Sequence, residues 1–512
     1  MYLIRYSVTV AALAASLAAS PAWALAPTAT PSITLRIAGS TIQDNNLIDV
    51  LNDICKAGTL DLYRDNDAVG QGTYYRAYFC TLDSAKVPGL SLADPNLLIL
   101  KRNRNGAITG VLPMLEPTKP INFMGISNTV SGAAQCTQAT PGATYLCSTD
   151  RTGDVTKQTP DMGVLDVDPY GFRGPNYTPT IDGTTYSQGS TAAVTAALTV
   201  RNGGGVIQNT PVTKDLRDAL QRAQIANGTL PGTCTAGDET AACMPSLSKS
   251  LLTSLFAGRI GKWSDIKVNE GGVSKALTDY ASTPPDNELV HICRRNKGAS
   301  TQSAINAYFL NTPCAATGTP PVEVSNPVLG PVVVTPTQVT ATENCLDDFN
   351  DGSNVAGLNA SGAKVWAISM LTTERNANLS RNYRYIKIDG FAPTVAEVAA
   401  GHYAYFSEAA YAWRKVDPKP SADQEVILEK ITTDATSPAV FGALNALTSQ
   451  PWALGTEAGY FIAVTSQGYP VVHPFDPTQP VTPYTHAPNG ATVDNCRNLQ
   501  VDDSANGKQP LL

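Results

Sequence analysis

The sequence predicts an α/β protein, and three observations carry the prediction. Short apolar runs pass through small polar residues into stretches with helical apolar spacing: residues 33–38 lead through Gly39-Ser40-Thr41 to Ile42, Leu47, Ile48 and Leu51. The pattern returns where residues 206–208 precede VTKDLRDALQRAQ and where His291-Ile-Cys293 precedes SAINAYFL. A chain of 512 residues that is 43% hydrophobic can build more than one core. Strands alternating with helices in this way place helices over sheets.

In chain order, residues 33–38 form the first strand and residues 42–51 the first helix. LLILK (97–101) and residues 110–114 read as strands. Residues 115–160 are rich in Gly, Pro and Thr and read as an irregular insertion. AAVTAALTV (192–200) reads as a buried strand ending at Asn202-Gly-Gly-Gly205. Thr213 is the expected cap of the helix that follows. A second helix is expected over 249–257, closed by Gly258, with Trp263 turned against the body. Residues 311–360 read as another insertion, and 363–370 and 383–388 as strands. A short helix is expected over 395–400, with Thr394 as its cap and Gly401 as its stop; beyond about 450 the chain reads as loop-rich.

Composition narrows the function classes. Charged residues make up 15% of the chain, against about 25% in average soluble proteins. With 36 basic and 43 acidic side chains the net charge is −7, which argues against a nucleic-acid partner. Four histidines leave little for a His-based metal site, and neither a metal nor a cofactor is expected. Residues 1–26 have the form of a secretory signal: Arg5, an apolar run over 8–19, and small residues in PAWALA suited to cleavage after Ala24 or Ala26. About twelve apolar residues are too few to span a bilayer, so the mature chain is expected free in the periplasm or outside the cell. Its ten cysteines suit an oxidising compartment. Short separations pair Cys55 with Cys80, Cys136 with Cys147 and Cys234 with Cys243; Cys293, Cys314, Cys345 and Cys496 keep three possible connectivities.

Two turns carry anion-binding chemistry. Gly39-Ser40-Thr41 offers hydroxyls and free N–H groups at a helix start. Arg294-Arg295-Asn-Lys-Gly-Ala-Ser300-Thr301 offers guanidinium groups that grip an oxyanion with paired hydrogen bonds, beside further N–H and hydroxyl donors. Each turn alone would also serve as an ordinary helix cap or a solvated basic loop. Neither a GxSxG elbow, HExxH, Walker A nor a complete GxGxxG occurs, so no covalent chemistry is expected and the chain is not read as an enzyme.

Taken together, these segments resemble the phosphate-binding proteins of ABC importers, within the type II periplasmic-binding-protein superfamily. Ile37-Ala-Gly-Ser-Thr41 is similar to that family's first strand and phosphate loop, and Asp161-Met-Gly-Val-Leu-Asp166 to its Gly-x-Ser-Asp strand end. LSKSLLTSLFAGRIGKWSD is close to its Leu-Ser…Phe-x-Gly-x-Ile-x-x-Trp-x-Asp signature, the most specific match. Arg295-Asn-Lys-Gly-Ala-Ser-Thr301 is similar to its Arg-x-Asp-Gly-Ser-Gly-Thr anion loop, and residues 385–394 to its return strand and turn.

The resemblance implies a two-lobed α/β fold with central mixed sheets, helices on both faces, two crossover hinge strands and disulfide-stapled insertions. Residues 33–200 and 391–512 would form the first lobe and 201–390 the second. The lobes would close on phosphate or a related oxyanion, held by Ser40, Thr41, Gly72, Thr73, Asp166, Arg295, Gly298, Ser300 and Thr301. Asp166 would accept the proton of bound phosphate, a role that excludes proton-free sulfate; Asp168 beside Pro169 is an equally good cap. An importer permease is the implied partner of a monomeric receptor. The sequence also departs from the pattern: Ala299 stands where the family has a ligating Ser, Lys297 where an Asp pairs with the Arg, and Leu165 where a small polar residue lies. A lost hydroxyl would cost roughly 1–3 kcal/mol, which Lys297 or Arg294 would have to offset. The rival expectations are a secreted interaction or adhesion protein with an altered anion site and, more remotely, a phosphohydrolase.

Overall fold

The computed structural model describes residues 25–66, 74–376, 378–447 and 459–502. All but the last two residues of the expected signal, and the expected Gly72–Thr73 turn, lie outside them. β1 (Ile33–Gly39) buries Leu35 and Ile37 and turns into α1 (Asp44–Ile54). Leu47, Val50, Leu51 and Ile54 recur at helical spacing and are all buried, so one face of α1 lies on the sheet. β2 (Asp61–Asp65), β3 (Tyr75–Thr81) and β4 (Asn96–Arg102) follow. β4 pairs parallel with β1 and antiparallel with β3; its continuous run of buried Leu97, Leu98, Ile99 and Leu100 befits a strand covered on both faces.

The strand expected over 110–114 is instead a 3-10 turn at Ala107–Gly110 and one helical turn, α2 (Leu112–Leu115). Pro113 has no N–H for a ladder but suits a helix start. Gly110 packs so tightly that a Cβ there would lie 2.7 Å from the Ala38 carbonyl oxygen and 2.9 Å from the Gly163 Cα. Within the 115–160 segment, Tyr145–Cys147 pairs parallel with β2 and antiparallel with Cys136–Thr137, so this stretch extends the sheet.

β5 (Met162–Leu165) pairs parallel with β1. The strand expected at 192–200 begins only at Leu198. Before it, α3 (Thr191–Ala197) is capped by the Ser190 hydroxyl accepting from the Ala193 N–H, and only Val194 of α3 is buried. Alanine-rich chain behind a serine cap favours helix once little of it is buried. β6 (Leu198–Asn209) bulges between Asn202 and Gly205 and stays in the same sheet to its end.

Past Thr210-Pro211 the chain enters a second sheet with β7 (Val212–Thr213). α4 (Lys214–Ala226) lacks the expected side-chain cap, because the Thr213 hydroxyl accepts the Ala367 N–H. α5 (Lys249–Phe256) is capped by Ser248, and Trp263 is buried with its Nε1 donating to the Trp366 carbonyl at 2.9 Å. β8 (His291–Cys293) feeds α6 (Ser300–Leu310). The expected insertion at 311–360 supplies β9 (Val332–Val334) and α7 (Val339–Asp351), which Cys293–Cys345 ties to β8. β10 (Ala367–Ser369) and β11 (Tyr383–Arg384) complete a sheet of order β9-β8-β10-β7-β11. The strand expected over 383–388 is broken: Lys387–Ile388 leaves to pair with Ser246–Leu247.

α8 (Val395–Ala399) carries the expected Thr394 cap. β12 (Phe406–Arg414), buried along its whole length, returns to the first sheet antiparallel to both β5 and β6. α9 (Ala422–Ala435) and α10 (Pro438–Leu447) cover that sheet. The described part of the tail is loop-rich, as expected, and within it β13 (Phe461–Val464) and β14 (Val481–Thr482) join the first sheet. The first sheet runs β14-β13-β6-β12-β5-β1-β4-β3-β2 and on to the 136–147 hairpin. One of its faces is packed by Leu35, Leu51, Trp413 and Ile431, the other by Phe79, Leu100, Val111 and Phe123. The molecule is therefore mixed α/β, built around two mixed sheets with separate cores.

The three short-range cysteine pairs are formed, and the remaining four join as Cys293–Cys345 and Cys314–Cys496. Among the described residues no helix is long and apolar enough to cross a membrane.

Candidate functional site

The two sheets direct their loops at one cavity of about 290 Å³. From the first sheet, β1 ends at Gly39 with φ 131°, where a Cβ would fall 2.0 Å from the Val164 carbonyl oxygen. Only glycine permits that approach, which drops the Ser40-Thr41 turn beside the end of β5. The Ser40 N–H donates to Val164 at 2.7 Å. The turn is held from beneath by Lys101, buried on β4, whose ammonium donates to the Ser40 carbonyl at 2.7 Å and to the Asn103 side chain, and lies 3.5 Å from Asp44. Burial pushes the Lys101 pKa down, and Asp44 opposes that.

Asp166 follows β5 and is 6% exposed. Burial raises its carboxyl to about 7, against a hydrogen bond from Ser40 and the charges of Lys101 and Arg295, and with help from Glu374. Its Oδ1 has no hydrogen-bond partner among the described residues. Asp168, by contrast, is spent on structure: it accepts the Tyr170 and Gly171 N–H groups and both nitrogens of Asn495.

From the second sheet, Arg295 reaches the cavity from the loop between β8 and α6 and is also 6% exposed. Its guanidinium donates to the Thr337 carbonyl at 3.4 Å, while its Nε has no partner among the described residues. Burial lowers its pKa to about 10, with Asp166 raising it and Arg375 lowering it. Ala299, Ser300 and Thr301 bring the N-terminus of α6 to the cavity. Ser300 has a second task, accepting the Asp166 N–H at 3.2 Å.

Of the residues expected from sequence, Ser40, Thr41, Asp166, Arg295, Ser300 and Thr301 line this one cavity. Gly298 does not: its N–H donates to Asn176 and its carbonyl accepts from Ile108, so it fastens the two halves together. Gly72 and Thr73 lie outside the described residues. Neither Lys297 nor Arg294 offsets the hydroxyl missing at Ala299, because both are paired with Glu323, at 2.9 and 3.0 Å.

The rest of the lining is not anticipated by the sequence reading. Tyr74, Arg76, Asn103 and Asn105 come from the first sheet, and Glu374, Arg375 and residues 337–340 from the second. Residues 337–340 open α7, so three helix N-termini (α1, α6 and α7) meet the cavity and bias it toward anions. A Thr-Pro-Thr turn ahead of a helix was the available signal, in a stretch that reads as an insertion. Among the described residues no histidine or cysteine lines the cavity, and no group of three or more His, Cys, Asp or Glu side chains could hold a metal ion.

No protein family and no curated protein matches the chain. Among solved structures it is similar to a Clostridium perfringens protein crystallised with bound phosphate (9% identity, TM-score 0.36, covering 79% of this chain and 96% of that one). It is similar also to an ABC-type phosphate transport receptor from Vibrio cholerae (9%, 0.34, 78% and 93%) and to PstS from Borrelia burgdorferi (8%, 0.29, 78% and 96%). Likeness this distant assigns no ligand.

Proposed function

We propose that the chain is a solute-binding protein for phosphate or a related oxyanion, which it takes up between the Ser40-Thr41 turn, Asp166 and the α6 N-terminus. One observation carries the reading: Arg295 is buried at the cavity with a carbonyl as its hydrogen-bond acceptor. A buried guanidinium in that state gains strongly from an anion, with which it makes charge-assisted bonds. Asp166 supplies selectivity, since an ionised carboxylate accepts a hydrogen bond from the O–H of HPO₄²⁻ and repels sulfate, which has no O–H to donate. The signal-like leader and the five disulfides favour action in the periplasm or outside the cell. Binding as a monomer and delivery to an importer permease complete the proposal.

The test is isothermal titration of the phosphate-stripped mature protein. Phosphate should give heat that sulfate does not, and Arg295→Ala should weaken binding by about 30-fold or more, in keeping with loss of a buried charge-assisted contact worth roughly 2–5 kcal/mol. A folded protein that gives heat with neither phosphate nor a phosphate ester would sink the reading. That outcome would favour the interaction-protein alternative, which draws on the exposed Val324, Val328 and Leu329 of the loop before β9 (80%, 75% and 65% exposed).

A further inference from the structure

We infer that the natural ligand is a phosphate monoester of a neutral, hydroxyl-bearing group such as a polyol or sugar, rather than inorganic phosphate. The inference rests on the anion-binding reading above and adds to it the size and charge of the cavity.

Size comes first. The two halves of the molecule are already in contact beside the cavity. Ile108 donates to Gly298 at 3.0 Å, Asp166 to Ser300 at 3.2 Å, and Asn306 to Asn176 at 2.6 Å. About 290 Å³ nevertheless remains open. At roughly 30 Å³ each that is the share of about ten waters, near the lower end of small-molecule sites. A lone tetrahedral anion displaces only a few of them. Leaving the others in place would forgo most of the contact the site offers.

Charge decides what fills the remainder. Among the described residues three arginines line the cavity, and two already have a carboxylate beside them: Arg76 lies 3.3 Å from Asp44, which it shares with Lys101, and Arg375 lies 2.6 Å from Glu343. Arg295 makes its hydrogen bond to a carbonyl. Among the described lining arginines Arg295 is thus the one with no carboxylate at ion-pair distance, which makes it the strongest seat for an anion and leaves a second phosphate or a dicarboxylate without an equal partner. The other polar groups include the Tyr74 and Thr340 hydroxyls and the Asn105 amide. Such groups exchange hydrogen bonds with ligand hydroxyls and discriminate strongly against ligands that lack them.

The experiment titrates the full-length mature protein, stripped of ligand, with inorganic phosphate, glycerol 3-phosphate, glucose 6-phosphate, glycerol and glucose. At least one ester should bind tenfold or more tighter than phosphate. Tyr74→Phe should weaken the ester several-fold and leave phosphate within twofold, while Arg295→Ala and Arg295→Lys, checked for unchanged melting, should weaken both. Phosphate binding as tightly as every ester would overturn this inference and leave the anion reading standing. A folded protein that binds neither would overturn both, as would a neutral polyol binding as tightly as its phosphate.

Discussion

Asp166 and Lys101 are the two residues whose burial does the most to set the site's behaviour. The Asp166 carboxyl titrates near 7 instead of the ordinary 3.8, so in the unliganded protein it is mostly protonated below neutrality and mostly ionised above it. A protonated carboxyl donates to an anion, whereas an ionised one only accepts. Discrimination of phosphate over sulfate should therefore be greatest near pH 8 and shrink toward pH 5; competition titrations across that range would reveal a flat profile if Asp166 were not the selector. The same raised pKa has a consequence for stability. The folded state holds this proton more tightly than the unfolded chain, so the group costs stability as pH rises from about 4 through 7. Asp166→Asn should make the ligand-free protein more stable at pH 8 than at pH 4 relative to wild type, by at most about 4 kcal/mol, as read from denaturant midpoints at the two pH values. Lys101→Met should act in the opposite direction. It leaves Asp44, 3% exposed, with one fewer cationic neighbour and frees the Ser40 carbonyl; a loss of about 3–5 kcal/mol is expected, with weaker anion binding beyond that loss.

At the scale of elements, α6 does two jobs with one helix. Its apolar side, including Ile305, Phe309 and Leu310, belongs to the core of the second sheet. Its polar side, Ser300, Ser303 and Asn306, docks on the 166–176 loop of the first, where the Asn176 amide donates to Gly171 and Ser303 and accepts from Asn306. Both faces of α6 are therefore buried, one against apolar and one against polar groups. Asn176→Ala should cost roughly 1–3 kcal/mol, because it leaves the buried Asn306 amide N–H without its acceptor, while Ser303 and Gly171 keep the bond between them; it should also speed ligand release in stopped-flow exchange. The elements misjudged from sequence share a physical origin. The 110–114 and 192–200 segments are short apolar or alanine-rich runs whose composition fits strand or helix equally, and Pro113 and the Ser190 cap decided them locally. Within the loop-rich tail, the short strand β13 forms where β6 presents an edge for it to pair with.

For the whole molecule, the deciding connection is Cys314–Cys496. It joins the chain just past α6 to the C-terminal segment, which Asn495 in turn binds to Asp168 and to the Glu408 backbone of β12. The expectation of two lobes that shut freely on a ligand must therefore accommodate a covalent tie between the body of the second sheet and the segment lying on the first. Opening is restricted to motions that keep these two points together. Replacing both cysteines with serine should lower stability by roughly 2–5 kcal/mol, since the bond closes a loop of 182 residues, and should raise the ligand dissociation rate. Unchanged dissociation in a folded variant would show that the tie does not govern access to the cavity.

What the sequence by itself determined is the local chemistry. Strand–helix alternation, the Gly39-Ser40-Thr41 turn, the Arg295–Thr301 turn, Asp166 and the short-range disulfides are all written in consecutive residues, whose conformations depend mainly on near neighbours. Only the tertiary structure decided what those groups face. Whether Arg295 meets a carboxylate, whether Arg76 and Arg375 already have one beside them, and how much room the two sheets leave between their loops depend on segments up to hundreds of residues apart. Those relations arise from burial and from pairings across sheets, and no periodicity in a single stretch of chain records them.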